Sequence, residues 1–110
     1  MNQAISKEEL LYSHLGNDPD LSEIVTMFVE EMPSRIATLL EQLHSGDLEA
    51  LRRTAHQLKG AAGSYGFDLI SPAAARLEYA VRDNEPAPQI LEAVEELSDL
   101  CGRVRAGGPD

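Results

Sequence analysis

Apolar residues recur along most of this chain at every third or fourth position, the spacing of one face of an α-helix. Leu21, Ile24, Val25, Phe28, Met32, Ile36, Leu39 and Leu43 fall in a sector about 120° wide at 100° per residue. They predict a long first main helix, with Asp20 as its cap and Gly46 as its stop. Pro33 lies inside this stripe and removes the bond to the Val29 carbonyl, so a kink is expected there. The stripe keeps its phase across Pro33, which favours one bent helix over two.

Asp47 is placed to cap the next segment. Its stripe is Leu48, Leu51, Ala55, Leu58, Ala62 and Tyr65, ending near Gly66. Ser71 and Pro72 read as the cap and first residue of a third helix, with Ile70, Ala73, Ala74, Leu77, Ala80 and Val81 on its apolar side. After "NEPAP" at 84–88, a last helix carries Ile90, Leu91, Val94, Leu97, Cys101 and Val104. A short helix is also expected in front, from Lys7 to His14, with Ser6 as cap.

Strand signals are nearly absent. The expected fold is therefore all-α: an antiparallel up-down-up-down four-helix bundle with a short extra N-terminal helix. Length supports one domain over 1–110, with 1–6 and 106–110 expected to be flexible.

Charge narrows the function. The chain holds 19 acidic and 9 basic residues, a formal net charge of −10. A nucleic-acid binder needs a basic face, and so does docking on an anionic membrane. No apolar run approaches the ~20 residues of a membrane helix, and no leader is expected. The single cysteine, Cys101, lies on an apolar stripe and reads as a small core residue. A cytoplasmic setting is the expectation.

The second main helix holds the candidate chemistry. With Leu51 at 0°, its apolar residues fall within about 60°, while His56 falls at about 140°. His56 is thus on the polar side, in mid-helix. Gly60 and Gly63 lie one and two turns along the same face. Each glycine costs a helix ~1 kcal/mol against alanine, and that cost has a use if the imidazole must stay uncovered. Lys59 at i+3, Arg52 at i−4 and Arg53 at i−3 make this face locally positive. A neutral imidazole is a good nucleophile toward phosphorus, and the roughly two negative charges gained suit a lysine partner. Geometry alone leaves two readings open: a phosphoryl carrier, or a solvated histidine with chance basic neighbours.

The run "HQLKGAAGSYGF" (56–67) resembles the signature of histidine-containing phosphotransfer (HPt) domains of multistep phosphorelays. "GDLEALRR" before it and "AARLE" (74–78) after it are similar to the family's flanking segments. The resemblance covers essentially the whole chain. It implies a four-helix bundle in which His56 accepts and donates a phosphoryl group. It further implies that Lys59 contacts phosphate and that Gly60 clears space for it. Such a domain is a carrier, not an enzyme, with no ATP site, metal site or cofactor of its own. The implied partners are receiver domains of response regulators, whose acidic pocket holds Mg²⁺ and the phosphorylatable aspartate, and also a hybrid sensor histidine kinase. A monomer is the family's implication for oligomeric state.

Some positions depart from the pattern. Where some members carry an amide near the histidine, this chain has Glu78. Arg82 either pairs with Glu78 or reaches the site. Arg52, Arg53 and Gly63 either touch the acidic partner or are merely solvated. The alternative function is a helical docking module that binds a receiver domain without being phosphorylated. Glu41-x-x-His44 has the spacing of di-iron bundles, but it occurs once and points away from the Leu39/Leu43 stripe, so no metal site is expected.

Overall fold

In a computed structural model, which describes residues 9–108, the four main helices are α1 (Ser22–Ser45), α2 (Leu48–Ser64), α3 (Ile70–Arg82) and α4 (Ala87–Cys101). Two-residue strands β1 (Leu11–Tyr12) and β2 (Val104–Arg105) flank them. Helix α2 packs on α1 and α3, and α4 packs on α3 and α1. With short connections between successive helices, this is the up-down-up-down bundle expected from the stripes.

The sequence rules explain most boundaries. α1 is continuous through Pro33, as the unshifted stripe required. Gly46 ends it in the left-handed conformation, φ 76°, which only glycine adopts without a Cβ penalty. The Asp47 side chain accepts the Ala50 N–H at 3.1 Å and caps α2.

Two caps differ from expectation. α1 begins at Leu21 without a side-chain cap. Asp18, not Asp20, organises the entry: its carbonyl accepts from Leu21 and Ser22, and its Oδ1 accepts the Asp20 N–H at 2.8 Å. α3 starts two residues early, at Ile70, so Ser71 lies in its first turn. The Ser71 hydroxyl donates instead to the Lys59 carbonyl, 2.9 Å away on α2. That bond joins two helices, which a cap would not do.

The core is built from the predicted stripes. Leu39, Leu51, Leu58, Ile70, Leu77 and Leu97 are fully buried, each contributing about 1.5–3 kcal/mol. Phe28 stacks on Phe67 at 5.4 Å and meets Tyr65 at 5.1 Å between ring centroids. Cys101 is buried, and burial pushes its thiol up to about 12, as fits an inert core residue. Ile24 and Leu48, assigned to the core stripes, are instead 41% exposed, and Leu91 of the last stripe is 44% exposed. Ile24 sits at the far edge of the α1 sector and Leu48 in the first turn of α2, where neighbouring helices do not reach round.

The expected N-terminal helix is not present among the described residues. Lys7 and Glu8 lie outside them, and Leu11–Tyr12 is a strand, paired in parallel with Val104–Arg105. The Leu11 N–H donates to the Arg103 carbonyl at 2.8 Å. Correspondingly α4 stops at Cys101, and Val104, expected as its last apolar position, is buried in β2. Burial of Leu11 and Val104 together overrides a local helical pattern too short to be stable alone. Residues 107 and 108 lie against Gly16 and Asn17. The following Ser13 is buried, and its hydroxyl donates to the Tyr65 carbonyl at the end of α2. Gly66 stands there with φ 83°, and a Cβ on it would run into Ser13 Oγ. It is the helix stop that the sequence suggested, and also a point of close approach.

Candidate functional site

The site lies halfway along α2, where that helix packs on α3. Because Leu51, Ala55, Leu58 and Ala62 turn into the core, His56 must turn out, and its side chain is 62% exposed. Gly60, one turn on, has nothing within 4 Å of where a Cβ would sit. The missing side chain therefore leaves open space beside the imidazole. Gly63 is also exposed, but a Cβ there would touch Ser71 Oγ at 3.7 Å, so it looks toward the start of α3.

The residue that organises the site comes from α3. Glu78 is buried, one position along from Leu77 in the apolar sector, and faces α2. Its Oε2 lies 2.9 Å from His56 Nδ1, and its Oε1 lies 2.8 Å from Lys59 Nζ. A buried carboxylate is tolerated when paired and hydrogen-bonded. The Lys59 ammonium, and after it His56, hold the Glu78 carboxyl below its usual value despite its burial. Glu78 in turn raises Lys59 above its usual value, with a smaller part from Tyr79.

An ionised carboxylate only accepts hydrogen bonds. His56 Nδ1 must therefore carry the proton in the neutral ring, and the lone pair is left on Nε2. Among the described residues no hydrogen bond reaches Nε2. The arrangement thus presents a nucleophilic nitrogen to solvent, backed by a fixed tautomer. This is the logic by which a carboxylate orients a reactive histidine.

The basic residues are more committed than the sequence implied. Arg52 donates to Glu49 at 2.6 Å, and Arg53 lies 4.0 Å from the same carboxylate. Their charges are partly answered on their own helix. Arg82 pairs with Asp83 at 2.9 Å, not with Glu78, and its guanidinium stands 4.5 Å from the centroid of the Tyr79 ring. Lys59 Nζ is 5.2 Å from the same centroid and 3.4 Å from the Tyr79 hydroxyl. His14 is an exposed loop residue 3.3 Å from Asp68. Glu41 and His44 are both exposed, and the described residues contain no group of three or more acidic, histidine or cysteine side chains suited to a metal ion.

Residues 23–107 match the Hpt domain family. The chain belongs to this family. It is 32% identical over 94 residues to the phosphorelay protein LuxU of Vibrio harveyi, covering 86% of this chain and 82% of LuxU. It is 31% identical over 106 residues to the chemotaxis protein CheA of Rhizobium meliloti (strain 1021), covering 81% of this chain but 14% of that protein. No solved structure matches. As an Hpt domain, the chain is a phosphotransfer carrier of a two-component phosphorelay, and such carriers are not themselves enzymes. No helix among the described residues is long and apolar enough to cross a membrane.

The sequence places Glu78 near the histidine without its role, and it does not point to Tyr79. Glu78 stood out only as a departure from the Hpt pattern, although a carboxylate beside Ala74 and Leu77 on the buried side of α3 is itself a signal: it demands a cationic partner. Tyr79 carried no signal in the sequence alone, because its partners come from Lys59 on α2 and Arg82 one turn along α3.

Proposed function

We propose that His56 is the phosphoryl acceptor and donor of this Hpt domain, and that it exchanges the group with the aspartate of a receiver domain. The observation that carries this reading is the Nδ1 to Glu78 hydrogen bond, which leaves Nε2 as the open nitrogen. In the forward step the Nε2 lone pair attacks phosphorus, and the bond from phosphorus to the aspartyl oxygen breaks. The aspartate leaves with that electron pair. The phosphorylated ring keeps its Nδ1 proton and carries a positive charge, which the Glu78 carboxylate offsets. In the return step that charge makes the imidazole a good leaving group.

Lys59, which shares the Glu78 carboxylate with His56, supplies a charge-assisted hydrogen bond to the transferred group. Gly60 leaves the approach open for the partner. Mg²⁺ in this reading belongs to the receiver, where it stabilises the in-line transfer, and the carrier needs no cofactor of its own. The chain acts as a cytoplasmic monomer, with Arg52, Arg53, Gly63 and Arg82 on the rim that meets the acidic receiver.

The test is incubation with a phosphorylated receiver and Mg²⁺. Wild type is expected to take up an acid-labile, alkali-stable label, and His56→Gln none. Equal labelling of the His56→Gln protein would overturn the assignment. Binding of the receiver without labelling of wild type would make the chain a docking module.

A further inference from the structure

We infer that Tyr79 is a positioning residue for phosphotransfer, holding the Lys59 ammonium beside His56 when Glu78 and the phosphoryl group compete for it. This rests on the reading that His56 is the phosphorylated residue.

The ammonium of Lys59 has two partners of different kinds. One is the Glu78 carboxylate at 2.8 Å, which also holds His56 Nδ1 at 2.9 Å. The other is Tyr79, through a hydroxyl at 3.4 Å and a ring face at 5.2 Å. A phosphoryl group on Nε2 brings roughly two negative charges to the nitrogen across the ring from Glu78. Lys59 must then turn from one anion toward the other. A lysine side chain freed from its carboxylate has a large rotamer entropy. Tyr79 is uncharged, so its hold on the ammonium does not oppose that turn. It limits where the ammonium goes without fixing which anion it serves.

Arg82 strengthens the same platform. Its guanidinium is 4.5 Å from the Tyr79 centroid and is anchored by Asp83 at 2.9 Å. One exposed aromatic ring thus gathers cations from two helices on the side of the bundle where His56 opens. At 40% exposure, Tyr79 contributes little to the core, which leaves this contact as its main structural relationship.

The experiment measures transfer from phosphorylated His56 to a receiver in wild type, Tyr79→Leu, Tyr79→Phe, Lys59→Met and the Lys59→Met/Tyr79→Leu double variant. Removing an exposed cation–π contact should slow Tyr79→Leu about two- to fivefold. Tyr79→Phe keeps the ring but loses the hydroxyl at 3.4 Å, and should recover only part of that loss. In the Lys59→Met background Tyr79→Leu should have no further effect, because its route is gone. Unchanged transfer in Tyr79→Leu overturns the inference. So does an equal loss with and without Lys59, which would make Tyr79 a direct receiver contact. Failure of the underlying reading looks different: wild type would then carry no label, or His56→Gln would carry it too.

Discussion

Glu78 Oε1 lies 2.8 Å from Lys59 Nζ while Oε2 of the same carboxylate lies 2.9 Å from His56 Nδ1. One α3 side chain therefore sets the tautomer of the α2 histidine and holds the α2 lysine next to it. The core makes this possible: Leu58 and Leu77 fix the two helices face to face, and Ser71 ties the Lys59 carbonyl to the start of α3 at 2.9 Å.

Removing the carboxylate should release the tautomer. In Glu78→Ala the Nδ1–H loses its acceptor, and neutral His56 should redistribute toward the Nε2–H form, which is not nucleophilic at Nε2. Nitrogen-15 NMR of the imidazole should show predominantly Nδ1–H in wild type and a mixture in the variant. Phosphoryl uptake should fall about tenfold or more, the range for loss of an orienting partner. A wild-type ring protonated chiefly on Nε2 at neutral pH would contradict the orienting role.

The ion pairs also set a pH dependence of stability. The folded value of Glu78 is below its usual 4.5. Its contribution is complete above 4.5 and is lost as pH falls through the lower, folded value. The folded value of Lys59 is above its usual 10.5. Its contribution is complete below 10.5 and is lost as pH rises through the higher, folded value. Urea unfolding of wild type and Glu78→Gln should therefore differ by a constant amount from about pH 8 to 9, above the range in which a histidine partner of Glu78 gains charge. The difference should move against wild type on both the acid and the alkaline sides. A pH-independent difference would mean that the pairs contribute nothing.

Gly60, beside His56, and Gly66, past the end of α2, should respond in opposite ways. A Cβ on Gly60 meets open space, so Gly60→Ala should raise stability by up to ~1 kcal/mol through helix propensity, with transfer little changed. Gly60→Gln should leave the bundle folded but slow transfer by filling the approach to His56. Gly66 has φ 83° and a Cβ path into Ser13 Oγ, so Gly66→Ala should cost ~1–3 kcal/mol. Thermal melts and transfer rates on the same samples separate the two effects. Unchanged transfer in Gly60→Gln would sink the clearance argument.

What the sequence disclosed follows the range of the interactions. Helix stripes, the Gly46 stop, the Asp47 cap and the outward turn of His56 depend on residues three or four apart, and all were legible. The pairing of Leu11 with Val104 spans nearly the whole chain, and no local period announces it; a helical pattern was read at both ends instead. The site shows the same division. His56, Lys59 and Gly60 share one helix face and were found together. Glu78 and Tyr79 act across the α2–α3 interface: the family pattern sets Glu78 near the histidine, but its contacts to His56 and Lys59, and the place of Tyr79, come from packing. Arg52 and Arg82 each face a carboxylate close by in the chain, Glu49 and Asp83, and a count of basic charge alone leaves those partners out.

Helix α2 alone among the four described helices has a side-chain N-cap, Asp47 accepting from Ala50. It is also the helix that carries His56 and, in its C-terminal half, Gly60 and Gly63, of which Gly60 costs it ~1 kcal/mol relative to alanine. The cap, with Glu49 in the first turn favouring the helix dipole, offsets part of that cost at the end away from the glycines. Asp47→Ala should destabilise the fold by ~1 kcal/mol, whereas Asp47→Ser retains an acceptor and should lose only a fraction of it. His56 lies more than two turns from the cap, so phosphoryl uptake per folded molecule should stay at the wild-type rate in both variants. Chemical denaturation gives the first quantity and labelling by a phosphorylated receiver the second. Equal stability of Asp47→Ala and wild type would show that the bundle contacts of α2 leave the cap no energetic role.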